Sequence, residues 1–249
     1  EIASQNIKEI VLTGINLGDF GKNGNKEINN TFLDLIKELD NLNLDLRFRI
    51  SSIEPNLLSD EIISFISTSK KFVRHFHIPL QSGSDSILRL MRRRYDSKLY
   101  KSRIEKINKL MPDACIGVDV IVGFPGENDD LFLESLNFLD SLNVSYFHVF
   151  TYSERDNTHA ISLPNIVEPN VRTKRSKLLR LLSSKKKASF YERNRGSIQD
   201  VLFESEEKNG YIEGFSSNYI RFRRPWDPNI IGTIVKSMFV DIDSDGFAI

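Results

Sequence analysis

Five apolar, β-rich runs alternate with helical patterns along this chain, and that alternation restricts it to one class of fold. The runs are Glu9 to Gly18, Leu46 to Ile53, His75 to Ser82, Cys115 to Phe124 and Tyr146 to Ser153, each closing on polar residues or on Gly and Pro. Every gap is long enough for one crossover helix, the mark of a parallel sheet in an α/β architecture. Thr31 with Asp34 three positions later predicts a capping box ahead of Leu35, Ile36 and Leu39. Ser59, then Asp96 or Ser97, predict two more helix starts, and Asp129 and Asp130 place carboxylates at the start of a helix showing Phe132, Leu136 and Leu139. Ligands of such sheets and barrels sit at the carboxyl ends of the strands. Those ends read Thr13 to Asn16, Ser51 to Glu54, Gln81 to Gly83, Asp119 through Glu127, and Tyr152 to Arg155.

After Ser153 the pattern changes. A loop with Pro164 and Pro169 leads into a basic helix, Val171 to Arg195, in which Arg172, Arg175, Arg180 and Lys185 to Lys187 stand against the single carboxylate Glu192. Leu178, Leu181 and Leu182 are its expected apolar stripe, and Gly196 its expected end. From Ser197 to Ile249 the runs Ile198 to Phe203, Tyr211 to Phe215, Asn218 to Phe222, Ile231 to Val240 and Phe247 to Ile249 are strand-sized and separated by turn residues. They predict a small closed β-barrel of the kind that binds oligonucleotides, with a domain boundary near residue 193 dividing 1–193 from 194–249.

Lysine plus arginine and aspartate plus glutamate both number 34, so affinity for nucleic acid has to come from local patches such as the basic helix. The apolar stretches are strand-sized and no charged-then-apolar leader opens the chain, which predicts a cytoplasmic protein with no membrane partner. Cys115 is the single cysteine. It excludes an internal disulfide and any all-cysteine zinc or iron–sulfur site built from this chain alone. Because the first strand of a parallel barrel would otherwise leave an apolar edge unpaired, a further segment is expected upstream of Glu1.

Asp119 interrupts an apolar strand, and burying it demands a partner. Either a neighbouring arginine satisfies it within the core, or it faces a ligand. Gly123 to Gly126 allow close backbone approach, to a ligand or simply through a turn. Gln81 can both donate and accept, which suits a ribose or an amino-acid group. For Arg92, Arg93 and Arg94 a solvated charge run is the default reading, the alternative being that one of them reaches inward to a carboxylate while the others stay solvated. His75, His77, His148 and His159 lack helical metal-ligand spacing; for His75 and His77, on one strand face, packing is favoured over metal binding.

Taken in order, Thr13-Gly14-Ile15-Asn16, Ser52-Ile53-Glu54-Pro55, Leu80-Gln81-Ser82-Gly83, Met91 with Arg93, the stretch Gly117 to Glu127, and Phe150 to Thr158 resemble the radical S-adenosylmethionine methylthiotransferases. The segment Ile230 to Val235 and Asp241 to Asp243 resembles the TRAM domain, an RNA-binding module that follows the radical domain in that family. The resemblance implies a partial (β/α)6 radical-SAM barrel missing its first strand and followed by a small all-β barrel. It implies S-adenosyl-L-methionine and 4Fe-4S clusters as cofactors, tRNA as substrate and an electron donor as a further partner. Thr13, Gly14, Asn16, Glu54, Gln81, Arg93 and Asp119 match its cofactor-binding wall, and Arg221, Arg223, Arg224 and Trp226, around Phe222, fit RNA. The closest motif likeness is to the branch acting on threonylcarbamoyladenosine beside the anticodon; the isopentenyladenosine branch, the branch acting on a ribosomal-protein aspartate and a non-enzymatic RNA-binding scaffold are the alternatives. The family's cluster-binding C-x-x-x-C-x-x-C loop has no counterpart here, so this stretch is expected to be inactive alone, its cluster ligands lying upstream. Asp96 and Asn157 depart from the Thr and Gly usual at those positions.

Overall fold

The computed structural model describes residue 5, residues 7–21 and residues 30–249. β1 (Glu9–Leu12) pairs in parallel with β2 (Arg47–Ile50), and β3 (His75–His77), β4 (Cys115–Val122) and β5 (Tyr146–Thr151) form a second parallel sheet in that order. Isolated bridges from Phe48 to Phe72 and from Ser52 to His77 connect β2 to β3, so β1 to β5 lie side by side in chain order.

Helices α1 (Phe32–Asn41), α2 (Asp60–Thr68), α3 (Asp85–Leu90), α4 (Ser97–Leu110) and α5 (Asp129–Ser141) occupy the crossovers. Local chemistry sets their starts. Thr31 and Asp34 form the complete capping box, Ser59 caps α2, and Asp96 rather than Ser97 caps α4 by accepting from Leu99 N at 2.7 Å. Asn128 does the same for α5. Each such cap contributes about 1 kcal/mol. The apolar faces of these helices bury Ile36, Ile63, Ile104 and Leu139 with Phe48, Ile116 and Val118 in one core. Because side chains alternate along a strand, the opposite face of the sheet carries Glu9, Arg47, Arg49, His75, His77, Asp119 and His148, a polar inner face.

α6 (Pro169–Asn194) packs along β5, and of the leucine stripe expected from the sequence only Leu182 packs against the core. Leu178 and Leu181 are exposed, whereas Arg172, Arg175, Ser176 and Leu179 are buried. The helical phase is set by two arginines that find carboxylates and backbone carbonyls beneath them, which hydrophobicity alone does not reveal.

The remaining strands, β6 (Ile198–Lys208), β7 (Tyr211–Ser216), β8 (Arg221–Pro225) and β9 (Ile234–Met238), form an antiparallel sheet in the order β8-β7-β6-β9. Asn209 and Gly210, both left-handed at φ 55° and 81°, make the tight β6–β7 turn. At the chain's end, Ala248 exchanges backbone hydrogen bonds with Arg221 and Arg223, and Ile249 O accepts from Val240 N at 2.8 Å, linking β8 to the segment after β9. The core here, Val201, Phe203, Ile212, Phe222 and Phe239, also takes in Phe190 and Tyr191 of α6 and Cys115 of β4. The β7–β8 loop seats itself against the amino ends of the parallel strands: Tyr219 stacks on His75 at 4.2 Å and lies under the Arg49 guanidinium at 4.5 Å. Among the described residues no helix is long and apolar enough to cross a membrane.

Candidate functional site

At the carboxyl ends of β3, β4 and β5, opposite that loop, a cavity of about 600 Å³ is lined by Gln81, Arg93, Asp119, Ile121, Phe150 and Tyr152, among others. Gln81 closes one side in a left-handed conformation, φ 73°. Two ladder bonds hold it there: its N–H donates to Asp119 O and its carbonyl accepts from Ile121 N, both at 2.8 Å. A non-glycine residue in this region costs about 1–2 kcal/mol, and strain of this kind gathers at functional sites.

Asp119 has a partner, and it is not the arginine that the sequence offered as one reading. His77 Nε2 lies 2.9 Å from Asp119 Oδ1, and Ser52 Oγ lies 2.6 Å from His77 Nδ1. His75 does pack, hydrogen-bonded to the Tyr146 hydroxyl and stacked on Tyr219, and burial pushes its imidazole down to about 3. His77 instead faces the polar interior.

Arg93 is the member of its arginine run that reaches a carboxylate, at 3.4 Å from Glu54 Oε1, with both side chains about one-third exposed. Its Nε is buried with no protein partner, and the same holds for the Tyr152 hydroxyl. An orphaned guanidinium donor beside a cavity calls for an acceptor, since leaving it unpaired costs about 1–3 kcal/mol. Thus Gln81, Arg93 and Asp119 meet at one cavity and Glu54 joins them through Arg93. Thr13, Gly14 and Asn16 follow β1 and are not among the residues lining it; Asn16 donates to the Asp19 carboxylate.

Gly123 and Gly126 have φ of 76° and 90°, but protein fills the space over the first of them: a Cβ on Gly123 would meet Arg172 Cγ at 2.3 Å. The ligand-approach reading of Gly123 therefore gives way to packing. Glu127, 4% exposed, accepts from Gly123 N and from Arg175 Nη1, each at 2.8 Å, and Arg175 also reaches Asp129 at 2.7 Å. Burial pushes the Glu127 carboxyl up, against the opposing pull of the Gly123 N–H and Arg175. Arg172 binds Val167 O, Tyr152 O and Glu154. This arginine clamp went unseen in the sequence because its partners are up to 48 residues apart. Asn157 sits at φ 63°, a conformation Asn tolerates better than most residues.

On the C-terminal sheet, Arg223 pairs with Glu213, Asp243 and Asp245 and lies 3.8 Å from the Phe247 ring centre, while Arg221 also pairs with Glu213. Glu213 and Arg223 are cross-strand partners in the β7–β8 register, a pairing invisible until the register is known. Phe222 is buried in the core, so its face does not offer a stacking surface, and Trp226 packs partly buried against the same core. Arg224 is exposed and has no ion pair among the described residues.

Residues 3–139 match the family model described as the radical SAM superfamily. Threonylcarbamoyladenosine tRNA methylthiotransferase MtaB of Bacillus subtilis is 39% identical over 242 residues, covering 95% of this chain and 53% of the relative. tRNA-2-methylthio-N(6)-dimethylallyladenosine synthase of Vesicomyosocius okutanii is 36% identical over 237 residues, covering 94% of this chain and 53% of the relative. The chain thus spans about half the length of these curated relatives. Among solved structures, coproporphyrinogen III oxidase (HemN) from Escherichia coli aligns at a TM-score of 0.43 with 15% identity, over 65% of this chain and 35% of that one. With Gln81, Arg93 and Asp119 all inside a family match that spans more than half of its residues, the chain belongs to the radical SAM superfamily.

Proposed function

We propose that the protein is a cytoplasmic methylthiotransferase that adds a methylthio group to a threonylcarbamoyl-modified tRNA adenosine next to the anticodon. The observation that carries this reading is the 39% identity to a threonylcarbamoyladenosine tRNA methylthiotransferase over 95% of the chain. In this reading residues 1–193 are part of a radical-SAM barrel and 194–249 a TRAM-like RNA-binding barrel.

The cavity suits S-adenosylmethionine, whose carboxylate would satisfy the unpartnered Arg93 Nε. Arg93 would take the cofactor carboxylate, Glu54 and Asp119 would accept from its ammonium or hydroxyls, and Gln81 would bond the ribose; Thr13, Gly14 and Asn16 are assigned to the methionine end. When bound, the cofactor supplies a carbon-centred radical upon reductive cleavage. What this chain's residues do is orient it and shield it, with Ile121 and Phe150 as apolar walls.

A 4Fe-4S cluster does not fit these residues. Cys115 is buried among Phe190 and Tyr191, with its thiol pushed up to about 12 by burial, and one cysteine cannot hold such a cluster. Turnover therefore requires cysteines that this chain does not contain, together with an electron donor, and the chain on its own is inactive. For RNA, the exposed Arg224 and the solvent side of α6, Lys174, Lys177, Arg180, Lys185 and Lys187, are the contacts available to phosphate. Arg221 and Arg223 would first have to leave their carboxylates.

Mass spectrometry of tRNA nucleosides from cells with and without the intact gene tests the reading. Loss of methylthio-threonylcarbamoyladenosine on deletion is expected. Loss of the methylthio-dimethylallyl nucleoside would move the protein to the branch of its 36% identical relative, and no change in either would reject tRNA methylthiolation.

A further inference from the structure

Beneath the cavity, three potential metal ligands converge from three adjacent strands. His77 closes β3, Asp119 lies on β4, and His148 is its Cα partner on β5. His77 is in register with Gly117, two residues before Asp119, so period-two alternation puts all three side chains on the polar inner face. One donor atom from each lies within 4.8 Å of the other two, and the histidine rings stand 5.6 Å apart at 62°. His148 is exposed and has no hydrogen-bond partner among the described residues.

The contacts of His77 make this more than a cluster. Ser52 Oγ touches its Nδ1 at 2.6 Å, the outer contact that metal-binding histidines use to fix ring orientation. If the ring proton sits on Nδ1 and is donated to Ser52, Nε2 presents a lone pair to a carboxylate oxygen 2.9 Å away, two acceptors face to face. A cation between them removes that conflict. If the proton sits on Nε2, the pair is an ordinary hydrogen bond, and a cation has to displace that proton to bind.

We propose that His77, Asp119 and His148 form a binding site for one divalent first-row transition ion of the zinc or iron(II) class, oriented by Ser52. Two imidazoles and one carboxylate suit these ions, and three protein ligands leave coordination positions open. Asp119 also lines the 600 Å³ cavity, which places the site at its edge. The site does not depend on the methylthiolation reading. Cys115 being the chain's single cysteine, no cysteine cluster competes for the metal.

Chelator-treated protein is titrated with Co2+ and, separately, with Zn2+, following cobalt d–d absorption and the heat of binding. The expected result is one equivalent bound with the intense absorption of a four- or five-coordinate ion. The exposed ligand makes His148→Ala the variant least apt to disturb folding, and it should weaken binding more than about 100-fold. Ser52→Ala should weaken it by about 10- to 100-fold, as outer-contact changes do. Absence of cobalt uptake by the unaltered chain, or equal uptake by His148→Ala with an unchanged circular dichroism spectrum, overturns the site.

Discussion

Gln81 and Arg93 each hold a locally unfavourable arrangement at the same cavity, and the two unfavourable arrangements differ in kind. The strain in Gln81 is in its backbone. Gln81→Gly relieves a φ of 73°, and although glycine loses more entropy on folding, a net gain of about 1 kcal/mol in urea unfolding is expected, accompanied by weaker cofactor binding. The deficit in Arg93 is an unpaired donor. Arg93→Ala removes the donor that an anionic ligand would satisfy and should weaken S-adenosylmethionine binding, read by calorimetry, at least tenfold, in line with about 1.5–3 kcal/mol for a hydrogen bond to a charged group. If Arg93→Ala binds as tightly as the unaltered chain, the assignment of the carboxylate to Arg93 fails.

At the level of elements, what was legible in the sequence was what is local. Thr31 with Asp34 and Ser59 were readable as caps because a cap spans three residues, and the five strand runs because their β-branched and aromatic residues are bounded by turn residues. α3, six residues long, gave too short a period to detect. The buried phase of α6 was unreadable for a different reason: Arg172 and Arg175 occupy positions that hydrophobic patterning assigns to leucine, and their partners Glu127, Asp129 and Glu154 come from distant segments. At the site the residue types were legible, whereas the His77–Asp119 contact and the carboxylates around Arg223 awaited the sheet registers. The clamp has a measurable weight. Arg175→Met leaves the Glu127 carboxylate buried without its counter-charge and should cost about 3–5 kcal/mol in denaturant unfolding. Changing Glu127→Gln and Arg175→Met together should recover part of that loss, because no uncompensated charge then remains; equal losses in the single and double variants would show that the pair contributes through shape alone.

Across the whole molecule, the parallel and antiparallel sheets meet through charge as well as through the apolar cluster that joins Cys115 of β4 to the C-terminal core. Arg47 donates to the backbone carbonyls of Asp200 and Phe215 at 3.0 and 2.9 Å while its Nε binds Glu9 at 2.6 Å, and Arg49 grips the same carboxylate at 2.7 Å. Glu9 therefore holds both arginines in the orientation that the C-terminal sheet requires. Burial pushes the Glu9 carboxyl up, but hydrogen bonds and charge from Arg49 and Arg47 outweigh it, and its pKa lies below the ordinary value of 4.5. The folded carboxyl thus gives up its proton more readily than the unfolded one. Its contribution is whole above about pH 4.5 and disappears as pH falls through the depressed folded value. Glu9→Gln should accordingly lower stability by about 3 kcal/mol at pH 7, the cost of leaving buried arginines without their carboxylate, and the gap between variant and unaltered chain should narrow as unfolding is measured at progressively lower pH. The same substitution should loosen the Tyr219 stack on His75, increasing hydrogen exchange in the β7–β8 loop before the parallel strands are affected. A gap that stays constant down to pH 3 would mean that Glu9 acts through packing, and that the docking of the C-terminal sheet does not hang on its charge.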